Sequence, residues 1–536
     1  MRTLLLILAG AFLAGLHACP AGSAELNADP ETLAEVNAQA AAGDTVVLAD
    51  GNYTTPIAPR HSGEPDKPLV YKAANRHKAL FTGEKLNGAV QLENKAFVVI
   101  EGIAAQKVQR FIVSEGSRHI TVNDCNFEDS SQGSWEGCRF RSCGDGIVFT
   151  NNRVTGGNDL LAIWKGQHHR VENNFFGDAS HTGLVLIAVQ RSAIRGNRLL
   201  NREWKCMEVF SERAEPAQVS RYNLIEKNRF EFSPASSIQY AGNDSILRRN
   251  VFWRTRTGMN FAHYLGRAKT PEAWYNSGNR FYHNVVADCG NSELNDRLIG
   301  EADAAGHKVA EPKKLGETIA YGIVFATNIN DSKRPYGDQA LVNNILFRNG
   351  TGKGTDKIAP TVQVSFDWDA TPAVASFFNN CFGGGQPGDK LFYWLDADRE
   401  KPPLPNSDVL KAYEERYASA FARNIEADPL FVDPDRGDFR LKPGSPCLDA
   451  GGPLTTAVEK GAGRTIQVAD ARFFCDGFGI VEPDVIRVAG IKAKLVQVDY
   501  AKNTLTLDAE LAWEAGAPLT LDYAGKGPDV GAFEEP

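Results

Sequence analysis

Apolar and polar residues alternate in short runs along most of the chain, and glycine, asparagine, aspartate and serine interrupt the runs every few residues. Runs such as "FVVIEGI" (97–103), "LLAIWKG" (160–166) and "GLVLIAV" (183–189) have the period of two and the β-branched content of strands. An asparagine followed within two residues by Phe, Val, Leu or Ile recurs beside them, at Asn126, Asn152, Asn174, Asn197, Asn228, Asn250, Asn284, Asn344 and Asn380. Steps of 26, 22, 23, 31, 22 and 34 residues separate the first seven, so the longer steps read as one unit carrying insertions.

A unit of about 22 residues built from short strands is too small for a helical hairpin repeat and suits one turn of a parallel β-solenoid. Coils in such a stack are ~4.8 Å apart, so equivalent residues form ladders. The recurring asparagines are expected to hydrogen-bond along their own ladder at a turn and to be scaffold. Register then follows from the beat. Leu161, Leu184, Met207, Ile238 and Met259 form one inward column, and Ile163, Leu186, Val209, Tyr240 and Phe261 the next. The column between them faces out and reads Ala162, Val185, Glu208, Gln239, Asn260.

Length and composition permit this architecture. The chain has 536 residues, 43% of them hydrophobic, enough for a continuous core. A net charge of −8 argues against nucleic acid as partner. The start has Arg2, an apolar run from Leu4 to Leu16 and small residues ending at Ala24, the layout of a secretory signal cleaved after Ala24. That run is too short to span a bilayer, and no later stretch approaches about 20 consecutive apolar residues. A periplasmic or secreted protein without a membrane span is expected, with a lipid anchor on Cys19 as the alternative. Eight further cysteines follow. Cys138 with Cys143 and Cys447 with Cys475 are the pairs an oxidising compartment could join, and buried free thiols are the other reading. No CxxC or HExxH motif points to zinc.

The opening stretch "GDTVVLADGNYTTPIAPRHSGEPDKPLVYKA" (43–73), with "ALFTG" and "FVVIEGI" after it, resembles the N-terminal coils of right-handed parallel β-helix polysaccharide lyases of the chondroitinase B and alginate lyase family. "DPLFVDPDRGDFRLKPGSPCLDAG" (428–451) and "GPDVGAFE" (527–534) are similar to the closing segment of many bacterial β-helix proteins. The resemblance implies an all-β, right-handed parallel β-helix over 25–451, after a signal peptide at 1–24. A small β-rich module at 452–526, with runs such as "AKLVQVDY" and "NTLTLDAEL", is expected to stack on the end of the solenoid or bind carbohydrate, and 527–536 closes the chain. The charged segment 290–318 is expected as an exposed loop or a short helix above one face.

The outward column carries the candidate chemistry. A solenoid's face is a groove suited to an extended polymer, here an anionic polysaccharide bound by a monomer. Cleavage of a uronate polymer by β-elimination needs its C5 carboxylate neutralised, a base for the C5 proton and an acid for the leaving oxygen. Gln239 and Asn260 are suitable amide donors, assisted by Arg213, with Lys165, Asn243 and Arg256 as further substrate contacts. His263 is the candidate base and Tyr264 the candidate acid, provided the strand ends at His263 so that both reach one sugar. The resemblance brings in Lys205 as a second candidate base, because lyases of that family use a lysine with an arginine. It also brings in calcium, with Glu208 and Glu212 as ligands. An external amide ladder is the structural alternative for Gln239 and Asn260, and a solvated surface the alternative for Lys205 and Glu208. His168, His169 and His181 are expected at the surface. Arg191, Arg195, Arg213, Arg248, Arg249, Arg254 and Arg256 are expected to make the groove cationic. A C5 epimerase, an inverting hydrolase using Glu208 and Glu212, and a non-catalytic glycan-binding protein are the competing readings.

Overall fold

A computed structural model describes residues 23–535 apart from 132–134, 213–217, 264–275, 291–296, 299, 303, 308–320, 328–336, 351–361, 369–373, 385–389, 395–413 and 416–419. Among the described residues, one sheet of fourteen parallel strands runs from Glu25–Ala28 to Phe421–Ala422, and a second sheet holds twenty. The chain is a right-handed parallel β-helix. Each coil contributes a short strand such as Val148–Thr150 to the first sheet, then a long one such as Arg153–Trp164 to the second. The long strands bend in the middle, where register shifts between Gly157 and Asp159 and again between Ser233 and Ser236. The first sheet thereby forms the first wall, and the second sheet forms the second and third walls, before and after its bend.

Two columns of left-handed residues turn the chain from wall to wall. One contains Asp129, Gly156 and Asp178, all at φ between 56° and 69°. A Cβ at Gly156 would sit 2.5 Å from Asp129 Oδ1, so glycine is needed there for space as well as for φ. The other column precedes the ladder: Asn151, Asn173, Lys227, Arg249, His283, Asn343 and Asn379 all have positive φ. Each stands immediately before a recurring asparagine.

The ladder itself matches the expectation. Asn197 Oδ1 accepts the Asn174 N–H at 3.0 Å, Asn228 Oδ1 accepts that of Asn197 at 3.0 Å, and Asn250 Oδ1 that of Asn228 at 3.0 Å. Every such carboxamide is buried, so it stands in for water at a backbone turn that water cannot reach. Two details differ. Phe127 pairs with Val154, which aligns Cys125, not Asn126, with Asn152, and the Cys125 N–H donates to Asn152 Oδ1. Asn424 extends the ladder, accepting the Asn380 N–H at 3.0 Å.

Inside, the columns stack like with like, as in Phe261 on Phe325 and Phe325 on Phe366, with ring centroids 5.0 and 5.2 Å apart. All eight described cysteines are free and buried. Cys138 and Cys143 lie in the main core, while Cys447 and Cys475 lie in two separate clusters, so the second pairing expected from sequence does not form. No helix among the described residues is long and apolar enough to cross a membrane.

The insertion within the closing segment forms a six-stranded antiparallel sheet from Thr455–Thr456 to Pro518–Leu521. It does not stack on the end of the solenoid. Its core merges with Leu224, Ile246, Tyr282, Ala340 and Val342, which face outward from the first sheet, and so it covers the flank. Arg248 reaches Asp484 across this interface at 2.6 and 2.7 Å, and the Tyr282 hydroxyl donates to Phe473 O. The hairpin of Phe431–Asp433 with Asp438–Leu441 packs on Val251, Val285, Ile345 and Cys381, the outward column of the second wall. Neither element covers the third wall.

Candidate functional site

Strand pairing on the third wall reproduces the register read from the beat. Ala162 pairs with Val185, Val185 with Glu208, Glu208 with Gln239, and Gln239 with Asn260. The column continues through Arg139 on one side and through Val324 and Ser365 on the other. Glu208 and Asn260 are two interstrand steps apart, roughly 10 Å. Three residues earlier in each strand a second polar column runs Glu136, Asp159, Thr182, Lys205.

Glu208 is buried in this wall and accepts from Lys205 Nζ at 2.5 Å and from Thr182 Oγ1 at 3.2 Å. Lys205 opens the strand Lys205–Phe210, and its side chain is only 15% exposed. Beside this pair lies a second. Asp159 Oδ1 is 2.7 Å from His181 Nδ1 and also accepts the Thr182 N–H at 3.1 Å. The hydrogen bond to Asp159 raises the His181 pKa above its ordinary value against the effect of burial, and burial raises that of Asp159. The two pairs meet at Thr182, which bonds both carboxylates. Trp135 stands edge-on to His181. The floor of the wall at Ala162 and Val185 is apolar, and Trp164 and Phe210 pack beside it.

Gln239 and Asn260 are half-buried on the same column, and Asn260 Oδ1 is buried with no hydrogen-bond partner among the described residues. The strand is described over Val251–His263, and the side chain of His263 lies outside the described residues. Tyr264 and Arg213 lie outside them as well. Lys165 sits just past its strand and pairs with Glu212 at 2.9 Å. Arg256 is half-buried in the strand of Asn260, four residues before it.

Several sequence expectations are corrected. Asn243 belongs to a turn, where its Oδ1 accepts the Ser277 N–H at 3.2 Å, and it makes scaffold contacts. Glu208 and Glu212 do not form a calcium site: each already faces its own lysine ammonium, and no group of three metal-ligating side chains occurs among the described residues. His169 is not at the surface. Its buried Nδ1 accepts the Ile147 N–H and its Nε2 donates to Lys165 O, so burial lowers its pKa to about 4. The arginines expected to line the groove are mostly elsewhere: Arg248 pairs with Glu226 and Asp484 under the module, Arg195 with Glu172, and Arg254 stacks on Trp253 near the closing hairpin. Sequence reading passed over Asp159 and assigned His181 to the surface. The sign available was an acid and a histidine 22 residues apart, one coil.

A family model described as "Right handed beta helix region" matches residues 110–268, the coils that carry this wall. Uncharacterized protein YwoF of Bacillus subtilis (strain 168) is 23% identical over 471 residues, covering 80% of this chain and 91% of YwoF. Among solved structures, the PL6 family alginate lyase AlyGC is 14% identical with a TM-score of 0.41, over 71% of this chain and 55%, about half, of AlyGC. The mannuronan C-5 epimerase AlgE6 A-module of Azotobacter vinelandii is 12% identical with a TM-score of 0.43, over 70% of this chain and 94% of that module. At these identities the likeness is one of fold.

Proposed function

We propose that this chain is an exported polysaccharide lyase that cleaves an acidic, uronate-containing polysaccharide by β-elimination. One observation carries the reading: on the wall that neither module nor hairpin covers, the Lys205 ammonium and the His181 imidazole are each fixed by a buried carboxylate on the coils beside the amides of Gln239 and Asn260. As the C5 proton leaves, negative charge grows on the substrate carboxylate oxygens. Donors already oriented toward it stabilise that charge without reorganising, and loss of one such donor costs about 10²- to 10³-fold in rate. Lys205, ion-paired with Glu208, serves here as a donor and not as the base. His263 takes the C5 proton and Tyr264 returns one to the leaving oxygen, roles that rest on His263 belonging to the Asn260 strand and on Tyr264 following it in sequence. No calcium takes part, since lysines stand where the metal would be held. The signal peptide at 1–24 and a periplasmic or secreted destination belong to the same proposal.

The test is a panel of alginate, pectate and chondroitin assayed for the ultraviolet absorbance of unsaturated uronate ends, for wild type, Lys205→Ala and Asn260→Ala. Wild type produces unsaturated ends from at least one polymer, each variant loses about 10²-fold or more, and a chelator leaves the rate unchanged. New reducing ends without unsaturation would identify a hydrolase. Altered C5 configuration without cleavage would identify an epimerase, and binding without turnover a glycan-binding protein. Any of the three sinks the lyase reading.

A further inference from the structure

A second charged feature lies on the same wall, at its N-terminal end and apart from Lys205. Arg139 occupies the outward column one coil before Ala162. Arg141 follows it two residues later in the strand Glu136–Arg141, and Arg110 precedes the strand Ile112–Glu115 of the coil before. Three guanidiniums thus gather on two adjacent coils. All three are half-buried, and each has a buried Nε without a hydrogen-bond partner. Arg141 is engaged by Glu136 at 2.6 Å and lies over Trp164 at 4.7 Å, and Arg110 donates to Asn87 Oδ1 at 2.8 Å. Arg139 makes no hydrogen bond or ion pair with another described residue. Burial and the charge of Arg139 lower the pKa of Arg110, which reports how close the like charges stand. Among the described residues Glu136 is the one carboxylate in contact; Glu115, on the coil before and strand-paired with Arg141, is exposed and joined to none of the three by an ion pair.

Like charges held together and partly desolvated are unfavourable unless something of opposite sign joins them. Several scaffold arginines of this chain are paired with carboxylates, as Arg195 with Glu172 and Arg348 with Asp288 are. A guanidinium presents a fork suited to an oxyanion, and Arg139 leaves its fork unused. We propose that Arg110, Arg139 and Arg141 form an anion-binding subsite that holds a carboxylate or sulfate substituent of the bound polysaccharide, with Arg139 as its central donor. It rests on the reading of this wall as a polysaccharide groove. Three interstrand steps, roughly 14 Å, separate Arg139 from Glu208, so a chain lying along the wall reaches the arginines only if it extends several sugars from the lysine centre. The apolar floor at Ala162 and Val185, with Trp164 beside it, lies between the two charged regions and fits the less polar face of a sugar ring.

The test measures binding, so that it does not depend on turnover. Full-length wild type, Arg139→Ala, Arg139→Lys and Arg110→Ala are titrated with alginate and chondroitin sulfate oligosaccharides, each as disaccharide and as octasaccharide. Arg139→Ala weakens octasaccharide binding at least about tenfold, Arg139→Lys recovers part of it, and disaccharide binding is unchanged. Preference for alginate identifies a carboxylate as the group held, and preference for chondroitin sulfate a sulfate. Lys205→Ala removes turnover while the Arg139 effect on octasaccharides remains, which separates the two sites. The proposal is overturned if Arg139→Ala has the same effect on both lengths, if it has none, or if wild type binds neither polyanion. Length-dependent binding through Arg139 in a protein that cleaves nothing would sink the lyase reading and leave this subsite standing.

Discussion

At the scale of residues, the candidate chemistry depends on how a fixed carboxylate changes its cation. His181 has its imidazole against Asp159 Oδ1, and this hydrogen bond lifts its pKa above the ordinary 6.5. A group whose folded pKa is raised contributes stability below its unfolded pKa and loses that contribution as pH rises through the folded one. An NMR titration of the His181 ring is therefore expected to have its midpoint above about 6.5, and Asp159→Asn to move it down. A midpoint that Asp159→Asn leaves in place would remove the carboxylate as the cause. The donor role makes activity fall on the alkaline side as His181 loses its proton. Glu208 was legible as a polar residue on an outward column and Lys205 only through the family resemblance, and their contact was not legible, because residues three apart in a regular strand point to opposite sides. Lys205 opens its strand, and there its Nζ reaches Glu208 at 2.5 Å.

At the scale of elements, the asparagine ladder and its left-handed neighbours set the register on which the site depends. Asn228 shows why. Its Oδ1 accepts from the N–H and Nδ2 of Asn197, and its Nδ2 donates to Ile194 O. Alanine there strands a buried N–H and a buried carbonyl, each costing about 1–3 kcal/mol. Asn126→Ala is the control, since Asn126 lies outside the ladder and donates only to Glu128 at 3.2 Å. Urea unfolding is expected to find the first variant clearly destabilised and the second near wild type; equal losses would mean that ladder membership carries no weight. The beat was readable because a buried turn at one fixed place per coil needs a carboxamide to accept the neighbouring coil's N–H. The slip at Asn126 has the same origin: a cysteine occupies the ladder position and the next residue happens to be asparagine.

At the scale of the molecule, function follows from which wall the module and the hairpin leave uncovered. The module seals the first wall through a buried ionic seam, where Arg248 meets both Glu226 and Asp484. Breaking a buried pair from one side costs about 3–5 kcal/mol in general, and Glu226 retains part of the compensation here. Asp484→Ala should therefore lower the melting temperature and expose 452–526 to limited proteolysis before the solenoid. Its effect on the rate with polysaccharide should be small, because the third wall is built from other residues. Simultaneous proteolysis of module and solenoid would show that the seam does not hold them together. The segment read as a loop or short helix above a face has helical residues around 300–302, and Ala302 is buried against Phe232. His307, next to it, approaches Glu203 at 3.9 Å, close to Lys205 in the chain.

The sequence by itself determined the solenoid, its repeat length, the position of the ladder and the outward column from Ala162 to Asn260. These depend on local periodicity, which a chain records directly. Tertiary structure decided the rest. Asp159 and His181 become partners only because coils stack, and the arginines near residue 250 leave the groove because the module, more than 200 residues away, claims that flank. A repeat specifies its own register, but which face remains open to solvent is set by elements that fold back from elsewhere, and no local pattern encodes where they land.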